Sequence, residues 1–87
     1  MQHPIAVRVS LPFLRAWRTW LGYSQAELAR RAGMSKATIV YLEGAKARAN
    51  FVTVGKLATA LGLPREQLLH DAPPADQQAE EPAISRA

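Results

Sequence analysis

Between Ser24 and Asn50 the sequence gathers cations and hydrogen-bonding side chains, and nothing that would make or break a covalent bond. Lys36, Lys46 and Arg48 are positive, while Ser24, Gln25, Ser35, Thr38, Tyr41 and Asn50 are neutral and polar, a set suited to holding an anion or reading a polar surface. Catalysis asks for more. His3 and His70 stand far apart in the sequence without a nucleophile near either, so each reads as an ordinary surface histidine. There is no Cys, hence no disulfide and no thiolate ligand for zinc. No cluster of His and carboxylates has metal-ligand spacing, and no glycine-rich phosphate loop is present. These residues imply reversible binding rather than turnover, with no enzyme activity and no cofactor.

The elements that must position them read as two short helices joined by a tight turn, from Gln25 to Glu43. Leu28 and Ala32 lie four apart on one side of the first helix, and Ala29 beside them is small enough for a second backbone to come close. Gly33 falls where that helix must stop, and glycine takes a left-handed C-terminal position without steric cost. Ser35 suits the N-cap of the second helix, and the amide-rich terminus behind it favours a phosphate oxygen. Gln25 opens the first helix just after Ser24, where its amide and the terminal N–H groups can meet another phosphate. Ile39 and Leu42 point back into a core with Met34, which leaves Lys36, Ala37, Val40 and Tyr41 on the other faces. This is a helix-turn-helix that holds its second helix out, and it points to DNA.

With 87 residues the chain holds one domain whose core is marginal without a partner, so a dimer is consistent with its size. Residues 1 to 70 carry ten Lys or Arg against Glu27, Glu43 and Glu66, whereas Asp71, Asp76, Glu80 and Glu81 outweigh Arg86 beyond them. A basic folded part of this kind attracts polyanions. Ile5, Val7 and Val9 alternate with Ala6, Arg8 and Ser10 in a strand-like period of two without an evident partner strand. The segment pairs with its copy in a dimer, lies extended across the domain, or is disordered. A first helix is expected from about Leu11 to Gly22, with Ser10 as N-cap and Leu14, Trp17 and Leu21 on its apolar face. A fourth runs from its cap Asn50 to Leu61, with Val54, Leu57, Ala58 and Leu61 inward, and a fifth from Pro64 to Leu69. From Asp71 the chain is rich in Pro, Ala and acid, a composition that predicts disorder. No apolar run approaches the roughly 18 residues of a membrane span and no signal peptide is evident, so a cytoplasmic protein is expected.

From Leu14 to Leu69 the chain resembles the phage-repressor and Cro-like (Xre-type) helix-turn-helix regulators, through Leu14-Arg-Ala-Trp-Arg-Thr-Trp-Leu-Gly-Tyr-Ser-Gln-Ala-Glu-Leu-Ala, Tyr41-Leu-Glu and Phe51-Val-Thr-Val-Gly-Lys-Leu-Ala-Thr-Ala-Leu-Gly-Leu. The resemblance implies an all-α, compact, five-helix lambda-repressor-like DNA-binding domain over residues 11–70, with a flexible N-terminal arm over 1–10 and a disordered acidic tail over 71–87. It implies base contacts from Lys36, Ala37, Thr38 and Tyr41 in the major groove. Lys36 can donate to guanine N7 or O6, and Ala37 or Thr38 can set a methyl against a thymine methyl. The alternatives are a phosphate contact or a solvated lysine for Lys36 and a packed surface for Tyr41. Phosphate contacts are implied for Ser24, Gln25, Ser35, Lys46, Arg48 and Asn50, and an ion pair between Arg18 and Glu43 that fixes the recognition helix.

The sequence departs from the family pattern at three places. Gly44 comes one residue after Glu43 rather than two, with Ala45 in the usual glycine position, so the recognition helix is expected to end early. Ala49 replaces a customary proline, so the loop before the fourth helix is expected to be less rigid. Trp20 and Leu21 are apolar where relatives are polar; the arm covers them or a second subunit does. The function implied is a sequence-specific regulator, a repressor reading a palindromic operator as a homodimer with half-sites about 34 Å apart. The alternative is an antitoxin that binds a toxin protein and autoregulates its operon.

Overall fold

Five helices follow one another along the chain: α1 Leu14–Trp20, α2 Gln25–Ala32, α3 Lys36–Leu42, α4 Phe51–Leu61 and α5 Arg65–His70. The computed structural model describes residues 8–74, so the expectations for the arm before Arg8 and for the tail after Pro74 lie outside the described residues. Every helix sends at least one branched side chain wholly out of water, among them Leu14, Leu28, Ile39, Leu57 and Leu68. Each such burial is worth about 2 kcal/mol, and these five side chains are the centre of a single core. Among the described residues no helix is long and apolar enough to cross a membrane.

The all-α architecture and the helix count agree with the sequence reading, and the helix ends show why. Ser24, Ser35 and Asn50 each accept a hydrogen bond from the backbone N–H three residues on, closing the N-termini of α2, α3 and α4. At the other end of α2, Gly33 is left-handed with φ 72°, and Met34 donates back to the Ala29 carbonyl at 2.8 Å. The same closure recurs at Gly62, where Leu63 donates to the Ala58 carbonyl at 2.9 Å. In both, the residue after the glycine is apolar and packs on the core, so the turn that ends the helix also sets where the chain goes next.

Three expectations need correction. The first helix starts at Leu14 rather than Leu11, with Phe13 and not Ser10 at its N-cap and no side-chain cap. The cause lies far away in sequence: Val9 and Ala49 form an antiparallel bridge, with N···O distances of 2.9 and 2.8 Å in the two directions. Leu11 is then drawn into the core from an extended chain, and the helix begins only after Pro12 has turned. Leu21 is not on the apolar face; α1 has ended before it, and Leu21 is exposed beside Trp20. The third place on that face goes to Arg18, which is buried.

The segment after α5 is docked as far as it is described. Trp17 donates its indole N–H to the Asp71 carbonyl at 2.7 Å, and Pro73 is fully buried. Composition assigns Asp71 to Pro73 to a disordered tail, but a buried indole needs an acceptor, and here the backbone just after α5 supplies it.

Candidate nucleic-acid interface

The outward face of α3 follows from helical geometry. Ile39 and Leu42 are buried, whereas Lys36, Ala37, Thr38, Val40 and Tyr41 are exposed, Tyr41 by 59%. Lys36, Ala37, Val40 and Tyr41 span an arc of roughly 140° opposite the two buried positions. Thr38 stands to one side, its hydroxyl 2.9 Å from that of Ser35, which leaves its methyl as the group not held. Seven residues make α3 about 10 Å long, within the roughly 12 Å width of a DNA major groove.

What fixes the aim of α3 is a buried polar knot at its C-terminus. Arg18 of α1 meets Glu43 with two nitrogens, Nε to Oε2 at 2.5 Å and Nη2 to Oε1 at 3.1 Å. Its third nitrogen, Nη1, donates to the Tyr23 carbonyl at 2.9 Å. The Arg18 and Glu43 side chains are 10% and 6% exposed, so the pair is largely dry. Gln25 completes the knot, donating from Nε2 to Glu43 Oε1 at 3.1 Å. One carboxylate thus joins the end of α1, the start of α2 and the end of α3.

This geometry changes what Gln25 can offer an anion. One N–H of its side-chain amide is committed to Glu43, so a phosphate contact there is left to the second N–H of that amide and to the backbone N–H groups of the α2 N-terminus. Ser24 is also engaged: it accepts from the Glu27 N–H at 3.0 Å while its own N–H donates to Glu27 Oε1 at 2.9 Å. That reciprocal capping box is legible as Ser24-x-x-Glu27, a signal the residue-by-residue reading passes over. The Ser24 N–H holds the Glu27 carboxyl below its usual range, helped by the Ser24 hydroxyl and by Arg30 and Arg31.

Beyond Glu43 the chain alternates. Lys46 and Arg48 are exposed, while Ala47 and Ala49 between and after them are 2% and 3% exposed. A turn closed by the Ala47 N–H on the Gly44 carbonyl at 3.2 Å carries Lys46, and a stretch without regular structure carries Arg48, so both cations stay in solvent while two methyls hold the segment to the core. Gly44 is not left-handed; its N–H closes the end of α3 on the Tyr41 carbonyl at 3.0 Å, and a Cβ at Gly44 would lie 3.1 Å from that oxygen. Asn50 closes the segment as the α4 cap, accepting at Oδ1 from the Thr53 N–H at 2.8 Å, so only its side-chain N–H₂ remains to donate outward. Ser35 is likewise occupied as an acceptor from the Thr38 N–H at 3.1 Å. The stretch from Ser24 to Asn50 therefore presents Lys36, Lys46 and Arg48 in the open, with its two carboxylates, Glu27 and Glu43, both satisfied internally.

A helix held out by its neighbour and flanked by open cations is the arrangement of a DNA-binding domain, and known proteins agree. The model of the helix-turn-helix domain family matches residues 13–70. Comparison with curated proteins gives no match. Among solved structures, the restriction-modification controller protein C.AhdI from Aeromonas hydrophila is 34% identical, with 63% of this chain and 83% of that one covered at a TM-score of 0.60. A hypothetical transcription factor, NHTF, from Neisseria is 32% identical, with 76% of this chain and 72% of that one covered at a TM-score of 0.61. The chain belongs to the helix-turn-helix domain family and is a DNA-binding regulator of the Xre type.

Proposed function

We propose that the protein is a sequence-specific repressor that reads a palindromic operator as a homodimer in the cytoplasm. Lys36, Ala37, Thr38 and Tyr41 face the base edges of the major groove. Lys46, Arg48, the Asn50 side-chain N–H₂, the Ser24 and Ser35 hydroxyls and the backbone amides from Gln25 hold phosphates on either side. The observation that carries this reading is the Arg18–Glu43–Gln25 knot, which fixes α3 with its polar and apolar groups outward and no open carboxylate beside it. Occupying a major groove excludes other proteins from those base pairs, and that is the basis for repression. Trp20 and Leu21, both exposed, supply apolar area for the subunit contact.

Binding of a labelled duplex measured across salt concentrations tests the electrostatic half of the proposal. Affinity should fall with a log–log slope of about −0.9 per phosphate neutralised, and Lys46→Ala or Arg48→Ala should each lower that slope by about one unit on specific and random DNA alike. A slope near zero, or a loss confined to one sequence, contradicts it.

A further inference from the structure

On the α4 and α5 side of the molecule, away from the residues of α3, an open groove of about 420 Å³ is lined by Arg31, Lys56 and Arg65 together with Phe51, Val52 and Gly55. Phe51 and Val52 are 65% and 64% exposed, the most exposed of the large apolar side chains described. They open α4, yet the end of that helix is already capped by Asn50, so capping does not account for their presence. Nor is the surface loose. The Arg65 guanidinium lies 4.2 Å over the Phe51 ring, and it fits there because Gly55 has no side chain: a Cβ at Gly55 would stand 2.5 Å from Arg65 Nη2. Among the described residues neither Lys56 nor Arg65 has a carboxylate partner, and no carboxylate lines the groove. A fixed apolar plate edged by three cations suits an acidic segment that carries an apolar side chain.

The chain contains such a segment. The thirteen residues after Pro74 hold Asp76, Glu80 and Glu81, and Ile84 is their one large apolar side chain. Reach is not limiting. One short helix and four further residues put Pro74 within about 23 Å of Arg65, and thirteen residues can extend about 45 Å. We propose that residues 75–87 dock back into this groove, with their carboxylates on Lys56, Arg65 and Arg31 and Ile84 against Phe51 and Val52. Docking covers the exposed plate and cancels part of the positive field of the folded domain.

Because the sequence has no Cys, a single nitroxide can be placed on the full chain through Ala83→Cys. At low salt the label should abolish the amide signals of Val52, Gly55 and Lys56. The signals should return at roughly 1 M salt, where screening acts within about 3 Å. They should also return when Asp76→Asn, Glu80→Gln and Glu81→Gln are combined, or when Lys56→Gln and Arg65→Gln are, while the amides of Leu14 and Ile39, fully buried on other helices, report an unchanged fold. The proposal is overturned if the groove signals persist, or if the loss falls on Lys36 to Tyr41 or on Lys46 and Arg48. It is equally overturned if the loss arises only between chains, when labelled chain is mixed with isotope-enriched chain, because the groove is then a contact between two copies.

Discussion

Arg18 is a charged residue at a position that helical spacing gives to the core, and its burial is tolerable only because all three guanidinium nitrogens are used. Removing either partner strands the other charge out of water. Arg18→Ala and Glu43→Ala should therefore each destabilise by about 3 kcal/mol, and Arg18→Met with Glu43→Leu should cost less than either single change, because no charge is left behind. Denaturant unfolding of the three variants decides this, and small single effects that merely add would show the pair to be idle.

Glu27 gives a second test at the same scale. Its pKa is lowered in the folded chain by the Ser24 N–H, so its contribution is present above the unfolded carboxylate range and is lost as the pH falls through the folded value. Glu27→Gln, which can still cap, should remove that part of the acid sensitivity; an unchanged acid limb in the stability profile would contradict it. Residue types show that Gln25 and Ser24 are polar and near a helix end. They do not show that the Gln25 amide turns to Glu43, because that depends on how α2 leans on α3.

Helices α2 to α5 were legible because each carries a local signal: apolar residues at helical spacing, a capping Ser or Asn or an opening Pro64, and a glycine stop after α2 and α4. The start of α1 and the course of the loop before α4 were not, because both depend on a bridge between residues forty positions apart in sequence. That bridge also gives Ala49 a reason. Its N–H donates to Val9, and a proline there would have none to give. The loop expected to be less rigid is tied down by the arm instead.

Ala49→Pro should consequently release the arm while leaving global stability within about 1 kcal/mol, since the lost hydrogen bond is offset by a stiffer unfolded chain. The Val9 amide, which donates to the Ala49 carbonyl, should exchange its hydrogen much faster. Unaltered protection at Val9 would mean that the bridge does not hold the arm.

At the scale of the whole molecule the charge asymmetry visible in the sequence takes a spatial form. The open cations Lys36, Lys46 and Arg48 lie on α3 and the loop after it, and the two carboxylates of that region are held in hydrogen bonds, Glu43 in the buried knot and Glu27 in the Ser24 cap. Sequence spacing identified the helix that faces outward; it did not identify the knot that keeps it there, whose three helices come together only in the fold. The central claim is that α3 reads bases, and the most direct measurement is selection of bound sequences from a random pool of duplexes, with the native chain and with Lys36→Ala. The native protein should recover an inverted repeat with half-site centres about 34 Å apart, and Lys36→Ala should relax one position in each half-site at a cost of about 1 to 3 kcal/mol on the preferred sequence. Recovery of no common sequence, or a Lys36 variant that binds more weakly with its base preference intact, would contradict it.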